Sequence, residues 1–248
     1  MANPSKCKAI VKYITAHGPG IYQVGFETIS TLPRFKVGQF MHLALDVYDP
    51  AGGYWPESRV FSISTVYRST ELEIIYSANG CYTKRMEEEL VVGREVWLKL
   101  PYGEFIIDLA IDRDQDVVLI AGGTGVSPFL PYLEGILISE KKDREIWLYY
   151  GVRLNIMILA YNLMRRCAQV GLIRSKIFIE KEEPDETIMS DIKAERGTLD
   201  IDRIIAECSV LRMPVFFLSG PPNMIRAFRD RLIMAGIDTG RIKIDAWE

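Results

Sequence analysis

The sequence predicts two domains, an N-terminal antiparallel β-barrel and a C-terminal α/β domain with a doubly wound parallel sheet. Three observations carry that expectation. Over the first hundred or so residues, short stretches rich in β-branched and aromatic side chains are separated by glycine and proline turns, the spacing of a barrel or sandwich. Beyond Asp116, apolar strands alternate with segments of helical periodicity, the pattern of βα units on a parallel sheet. Between the two, Asp108 to Asp116 is polar and acidic and reads as a linker, which divides the chain into residues 1–110 and 111–248. With 248 residues, 48% of them hydrophobic, the chain is long enough to bury two cores.

In the first domain the expected strands are Lys8 to Thr15, Tyr22 to Ile29, Gln39 to Val47, Arg59 to Val66 and Leu72 to Ser77. They are punctuated by His17-Gly18-Pro19-Gly20, Leu32-Pro33 and Asp49-Pro50-Ala51-Gly52-Gly53. Tyr82 to Leu90 has helical spacing with Lys84 and Arg85 outward, and Arg94 to Lys99 resumes a strand. In the second domain, strands at 117–121, 146–151, 176–180 and 214–218 alternate with helices at 127–138, 157–170, 201–208 and 222–235. Pro222 suits a first helical turn and Gly236 a C′ position. Ile242 and Ile244 then alternate with Lys243 and Asp245 as in a closing strand, which brings the tail to the carboxyl edge of the sheet.

Composition removes several function classes. The net charge is -3, and the basic residues form no runs, so nucleic acid is not expected as a partner. Cys7, Cys81, Cys167 and Cys208 lie far apart without metal-ligand spacing, which argues for reduced thiols and against zinc, an iron–sulfur cluster or a disulfide framework. No apolar run reaches membrane-spanning length and the N-terminus has no signal-like core, so the expectation is a cytoplasmic protein without a membrane span. His17 and His42 stand near no evident acid or nucleophile, so no metal site is assigned.

Chemistry concentrates in four stretches. Val117 to Ala121 runs into Gly122-Gly123-Thr124-Gly125-Val126-Ser127-Pro128, a strand, a glycine turn and a helix start, where backbone N–H groups and the helix dipole favour a phosphate. Pro128 stands where a third glycine would complete G-x-G-x-x-G, so the turn reads either as an anion site or as a plain βα connection. In Glu57-Ser58-Arg59-Val60-Phe61-Ser62, strand periodicity puts Arg59 and Phe61 on one face and Ser62 on the other unless the strand bends. A guanidinium beside an aromatic suits a phosphorylated planar ligand, and the same triplet also occurs on ordinary half-buried strands. Gly80-Cys81-Tyr82-Thr83 places a glycine and a hydroxyl at a helix start, and Ser219-Gly220-Pro221-Pro222-Asn223-Met224 follows a strand at the carboxyl edge, where doubly wound folds bind ligands.

Taken together, over nearly the whole chain and in order, these residues resemble the ferredoxin-NADP reductase-like superfamily of flavoproteins. The resemblance implies that Arg59-Val60-Phe61-Ser62 is the R-x-[FY]-S flavin motif, with Arg59 on the flavin phosphates, Phe61 against the isoalloxazine and Ser62 near its N5 and O4. It implies that Gly80, Cys81, Tyr82 and Thr83 form the G-x-x-[ST] turn holding the flavin diphosphate. Gly122, Gly123, Thr124, Gly125 and Pro128 match the loop for the nicotinamide dinucleotide's pyrophosphate, and Tyr150-Gly151-Val152-Arg153 the segment beside its adenosine half. Gly220, Pro221 and Met224 match the edge near the nicotinamide, where Ser219 replaces the usual cysteine.

By that resemblance the chain is an FAD-dependent NAD(P)H oxidoreductase, with FMN as the less favoured flavin and NADH or NADPH as substrate. A hydride would pass from nicotinamide to flavin N5, and electrons onward to a separate redox protein such as a ferredoxin, a flavodoxin or an oxygenase component. A flavin reductase using free flavin, or an electron-transfer subunit of a larger flavoenzyme, are the competing readings. Ser62, Ser219 and Trp247 are the candidate catalytic residues, Trp247 as an aromatic that either gates the flavin face or only packs. The acidic run Glu180-Lys181-Glu182-Glu183-Pro184-Asp185-Glu186 is read as a solvated loop that, near the ribose, would favour NADH by repelling a 2′-phosphate.

Overall fold

The computed structural model describes residues 4–140, 142–189 and 192–245. The chain forms two compact units that divide between Ile106 and Ile107. The first holds a six-stranded antiparallel sheet of β1 (Ser5–Ala16), β2 (Ile21–Thr28), β3 (Phe40–Ala44), β4 (Arg59–Ser62), β5 (Glu71–Ser77) and β6 (Glu95–Tyr102), ordered β4-β3-β6-β1-β2-β5. The strands expected at Gln39 to Val47 and Arg59 to Val66 are shorter than their apolar runs, and the reason is closure. Ile63 N–H still donates to Gln39 O on the β3 side, but Ser64 N–H donates to Glu73 O on β5, so the chain crosses from one edge strand to the other just after Ser62. The sheet is thereby an almost closed barrel, which removes its free edges. Val11, Val24, Phe26, Met41, Leu43, Ile74 and Leu98 alternate into its core, and α1 (Cys81–Glu89) adds Met86 and Tyr82 to it.

The second unit begins with a helical turn, α2 (Ile107–Ala110), at the start of the stretch read as a linker. Its parallel sheet comprises β7 (Val117–Gly122), β8 (Ile146–Val152), β9 (Arg174–Ile179), β10 (Lys193–Arg196), β11 (Val215–Ser219) and β12 (Ile242–Ile244), ordered β10-β9-β8-β7-β11-β12. β12 is the expected closing strand, whereas β10 was not anticipated because Lys193-Ala194-Glu195-Arg196 carries no strand-like pattern. The helices are α3 (Leu130–Ser139), α4 (Tyr161–Gln169), α5 (Glu186–Met189), α6 (Ile201–Glu207) and α7 (Pro222–Met234). Val118, Ile120, Phe216 and Leu218 pack with Ile204, Phe228 and Leu232 of α6 and α7. All six residues of β7 are buried, as its apolar run requires of a central strand. From β7 the chain continues to β8 on one side, and β11 later pairs on the other, so the strand order reverses at the carboxyl end of β7. That crevice is the expected ligand position of an open parallel sheet. Among the described residues no helix is long and apolar enough to cross a membrane.

Candidate functional site

In the barrel unit, register pairs Leu43 with Arg59 and Met41 with Phe61, so both motif side chains lie on the core side as strand periodicity requires. Phe61 is 9% exposed and meets Tyr76 edge-on with ring centres 6.1 Å apart. Arg59 opens the strand and reaches past the core. Its guanidinium sits 4.8 Å from the Tyr82 ring centre and donates to Ser58 O and to the Glu57 carboxylate, each at 2.9 Å. Tyr82 is fixed in turn: its buried hydroxyl accepts from Leu45 N–H at 3.0 Å and donates to the Leu43 carbonyl at 3.0 Å. Val60 lies across from His42 on the other side of the strand, and Ser62, facing Phe40, is buried.

Gly80 caps α1, and the Thr83 hydroxyl closes the turn on itself, accepting from Gly80 N–H at 2.9 Å and donating to Gly80 O at 3.1 Å. A Cβ at Gly80 would have only Thr83 Oγ1 near it, at 3.7 Å, so the turn is open to an approaching group. The first-turn N–H groups of Cys81, Tyr82 and Thr83 lie where a helix offers no internal acceptor. Cys81 itself is exposed. Arg59 and the Gly80 turn thus meet at Tyr82, a cation and a helix start converging as an anion requires.

In the sheet unit, the turn after β7 departs from the expected helix at 127–138. Gly123–Phe129 is a 3₁₀ segment and α3 starts only at Leu130. Pro128 withholds an N–H, and Ser127 Oγ donates to Thr124 O at 2.6 Å, so the backbone tightens before it can become α-helical. The glycines have different tasks. A Cβ on Gly125 would fall 2.4 Å from Ser219 O, and one on Gly122 would fall 2.8 Å from both Met224 Sδ and Pro221 Cδ. These two glycines let the loop pack onto the end of β11 and the start of α7, with Gly220 beside them at φ +149. Gly123 has φ +56 and open space around its missing side chain, so it is the point where a phosphate can come close to the backbone. The structure therefore gathers Gly122, Gly123, Thr124, Gly125, Pro128, Ser219, Gly220, Pro221 and Met224 at the crevice.

Ser219 is 2% exposed, and its hydroxyl donates to Asp245 Oδ2 at 2.9 Å. Asp245 is 5% exposed and prolongs the β11–β12 ladder through its N–H to Leu218 O. Burial pushes its carboxyl up to about 7, with the Ser219 hydrogen bond pulling the other way. No functional signal in the sequence points to Asp245, because alternation in a short terminal strand does not report burial of the residue after it. Glu57, which holds Arg59, is a second residue to which no role attached. Tyr150 is fully buried, bridging Met157 O and Leu159 N at 3.4 Å, so its role is to anchor the segment after β8. Arg153 is exposed just beyond that strand. The acidic run is partly engaged: Glu182 accepts from Asn155 N–H, Glu183 O accepts from Asn155 Nδ2 at 2.8 Å, and the Glu183 carboxylate pairs with Arg196 at 3.0 Å. Trp247 lies outside the described residues.

A family profile described as "Oxidoreductase NAD-binding domain" matches residues 119–230. The flavohemoprotein of Rhizobium meliloti (strain 1021) is 26% identical over 224 residues, 86% of this chain and 53% of the relative. The NAD(P)H-flavin reductase of Aliivibrio fischeri is 29% identical over 189 residues, 69% of this chain and 74% of the relative. The chain spans about half the length of the flavohemoproteins it matches. In structure, it is similar to a ferredoxin NADP+ reductase from Neisseria gonorrhoeae with bound FAD and NADP, at TM-score 0.73 and 18% identity, covering 99% of each chain. With an antiparallel barrel, a parallel sheet whose glycine loop sits at the reversal of strand order, and an oxidoreductase NAD-binding profile matched over residues 119–230, the chain has the two-domain fold of the ferredoxin NADP+ reductases and carries an oxidoreductase NAD-binding domain in its second unit.

Proposed function

We propose that this chain oxidises NADH or NADPH by means of a bound flavin, FAD in preference to FMN, and hands the electrons to a separate acceptor protein. The observation that carries the reading is a pair of turns with open space at a glycine, Gly80 beside Arg59 in one unit and Gly123 within the Gly122 to Gly125 loop in the other. Arg59 and the first-turn N–H groups of α1 would hold the flavin's phosphates, and the N–H groups around Gly123 the dinucleotide's pyrophosphate. When bound, a flavin supplies the chemistry that links two-electron donors to one-electron acceptors. The chain's own work is to bind and orient, with Arg153 beyond β8 and the acidic run beyond β9 near the dinucleotide's adenosine half. The Glu182 and Glu183 carboxylates there favour NADH over NADPH.

One observation favours the flavin-reductase alternative: Arg59 is already paired with Glu57, which competes with a phosphate for the guanidinium. Gel filtration of the purified protein separates the two readings. Co-elution of about one flavin per chain supports a resident cofactor, and a colourless chain that reduces added flavin supports the alternative. Electron transfer to ferredoxin, flavodoxin or an oxygenase component, each assayed with the reduced protein, then identifies the acceptor class.

A further inference from the structure

At the end of the parallel sheet away from the glycine loop, the face covered by α6 holds a cavity of about 400 Å³. Register sets its side chains. Trp147 pairs with Arg174, Tyr149 with Lys176, and Lys176 with Lys193, so all five project from the face that packs Tyr149 against Ile204 of α6. Trp147, Arg174 and Lys193 stand at or next to the first residues of β8, β9 and β10, whereas the glycine loop follows the last residue of β7. On the helix side the cavity is closed by Arg203 and by Glu207, which ends α6 and accepts from the Tyr149 hydroxyl at 3.0 Å.

The charges around this cavity do not cancel. Glu207 and Glu195 are held by Lys176, at 3.0 and 3.4 Å, and by Arg203, which reaches both carboxylates. Those two acids and two bases neutralise one another. Lys193, which also lines the cavity, has no ion-pair partner among the described residues, and Arg174 has only Glu145 at 3.7 Å, a carboxylate that Lys142 holds at 3.0 Å. Two cations are thus left to the cavity. Arg174 lies over Trp147, its guanidinium 5.2 Å from the ring centre and its side chain 70% exposed. The indole N–H of Trp147 is buried and has no acceptor, a rare condition for a buried donor. Size then decides the kind of anion. Small-molecule sites occupy roughly 300 to 1,000 Å³, so this cavity fits an organic acid, whereas an inorganic anion would leave most of it empty beside the Trp147 ring.

We propose that this cavity is a second ligand site and takes a small aromatic acid, whose carboxylate is held by Arg174, Lys193 and the Trp147 N–H while its ring packs beside the indole. The guanidinium is already steadied by the ring beneath it, so it meets a carboxylate with little reordering. A second aromatic packs on Trp147 edge-on or offset, as such rings prefer. The site stands on residues of the sheet unit alone and does not depend on the reading of the glycine loop.

The test is calorimetric titration of the whole chain with 2-naphthoate, in the presence of excess FAD and NAD+ and again without them, with neutral 2-naphthamide and inorganic phosphate as controls. The expected result is about one 2-naphthoate per chain at an affinity that FAD and NAD+ leave unchanged, with the amide and phosphate each weaker by about tenfold or more. Arg174 and Lys193 are exposed, so the double variant Arg174→Gln, Lys193→Gln should keep the wild-type Tm and lose about tenfold or more in 2-naphthoate affinity. Trp147→Phe keeps a ring and removes the N–H, and should weaken binding several-fold without changing the stoichiometry. No saturable binding, displacement by FAD or NAD+, equal binding of the amide or of phosphate, or full affinity in the double variant each overturns the proposal.

Discussion

The two turns proposed to hold phosphates are built by opposite means. At Gly80 the turn is exposed and its selectivity lies in side chains: Arg59 over Tyr82, and Thr83 closing the cap. At Gly122 to Gly125 the turn is pressed onto β11, and what matters is the absence of side chains. A turn made of side chains can lose its ligand while keeping its fold; a turn made of close backbone contacts cannot lose a glycine without disturbing the packing beneath it.

The largest expected effect is at Gly125. Valine there meets backbone atoms of Ser219 and Gly220 at about 2.5 Å or less, and backbone cannot swing aside as a side-chain tip can. Gly125→Val should destabilise the sheet unit by about 3 kcal/mol or more, seen as a drop in Tm together with loss of dinucleotide binding. Gly123→Ala meets nothing within 4 Å and bears only the strain of φ +56, about 1 kcal/mol. If the two variants melt alike, the division of labour between these glycines is wrong. Lost binding in Gly125→Val follows from disturbed packing as well as from blocked phosphate approach.

In the barrel unit, Arg59→Ala should weaken flavin retention by about 1.5 to 3 kcal/mol, the worth of a hydrogen bond to a charged group, with Tm of the flavin-free protein unchanged. Equal flavin content in variant and wild type would remove Arg59 from the site. Tyr82→Phe leaves Leu45 N–H buried without its acceptor and should cost about 1 to 3 kcal/mol of barrel stability, measured by denaturant unfolding. The smallest effect is at the cap, where Thr83→Val removes both bonds of the Gly80 turn for about 1 kcal/mol.

Asp245 makes stability depend on pH in the sheet unit. Its folded-state pKa is raised to about 7 from an ordinary 3.8. The folded protein therefore binds the proton more tightly, and the resulting stability is full below about pH 4 and lost as pH rises through 7. Denaturant midpoints at pH 5.5 and 8 should differ in that direction in the wild type, and Asp245→Asn should flatten the difference. A midpoint that rises with pH through this range in the wild type but not in the variant would reverse the sign assigned to Asp245.

Much of this was legible in the sequence because periodicity and glycine spacing report backbone requirements directly. Val117 to Ala121 could only be a buried strand, and Pro222 and Gly236 marked the first turn of α7 and the left-handed residue beyond its end, at φ +83. What was not legible depends on contacts distant in sequence. The separation of Gly123 from Gly122 and Gly125 follows from Ser219, Gly220, Pro221 and Met224, about a hundred residues away. The Ser219–Asp245 pair needs β12 laid beside β11, and the bend after Ser62 needs the barrel to close. Lys193 to Arg196 is a strand only because β9 offers it an edge.

The central claim is that one chain carries a flavin on its barrel and takes electrons from a nicotinamide dinucleotide on its sheet. An anaerobic titration of the purified protein with NADH, and separately with NADPH, tests it directly in the flavin absorbance band. The account predicts that the band bleaches with about one equivalent of reductant per flavin, more readily with NADH than with NADPH, and that Arg59→Ala lowers the flavin present at the start. A protein that binds flavin stoichiometrically and is bleached by neither dinucleotide would contradict it.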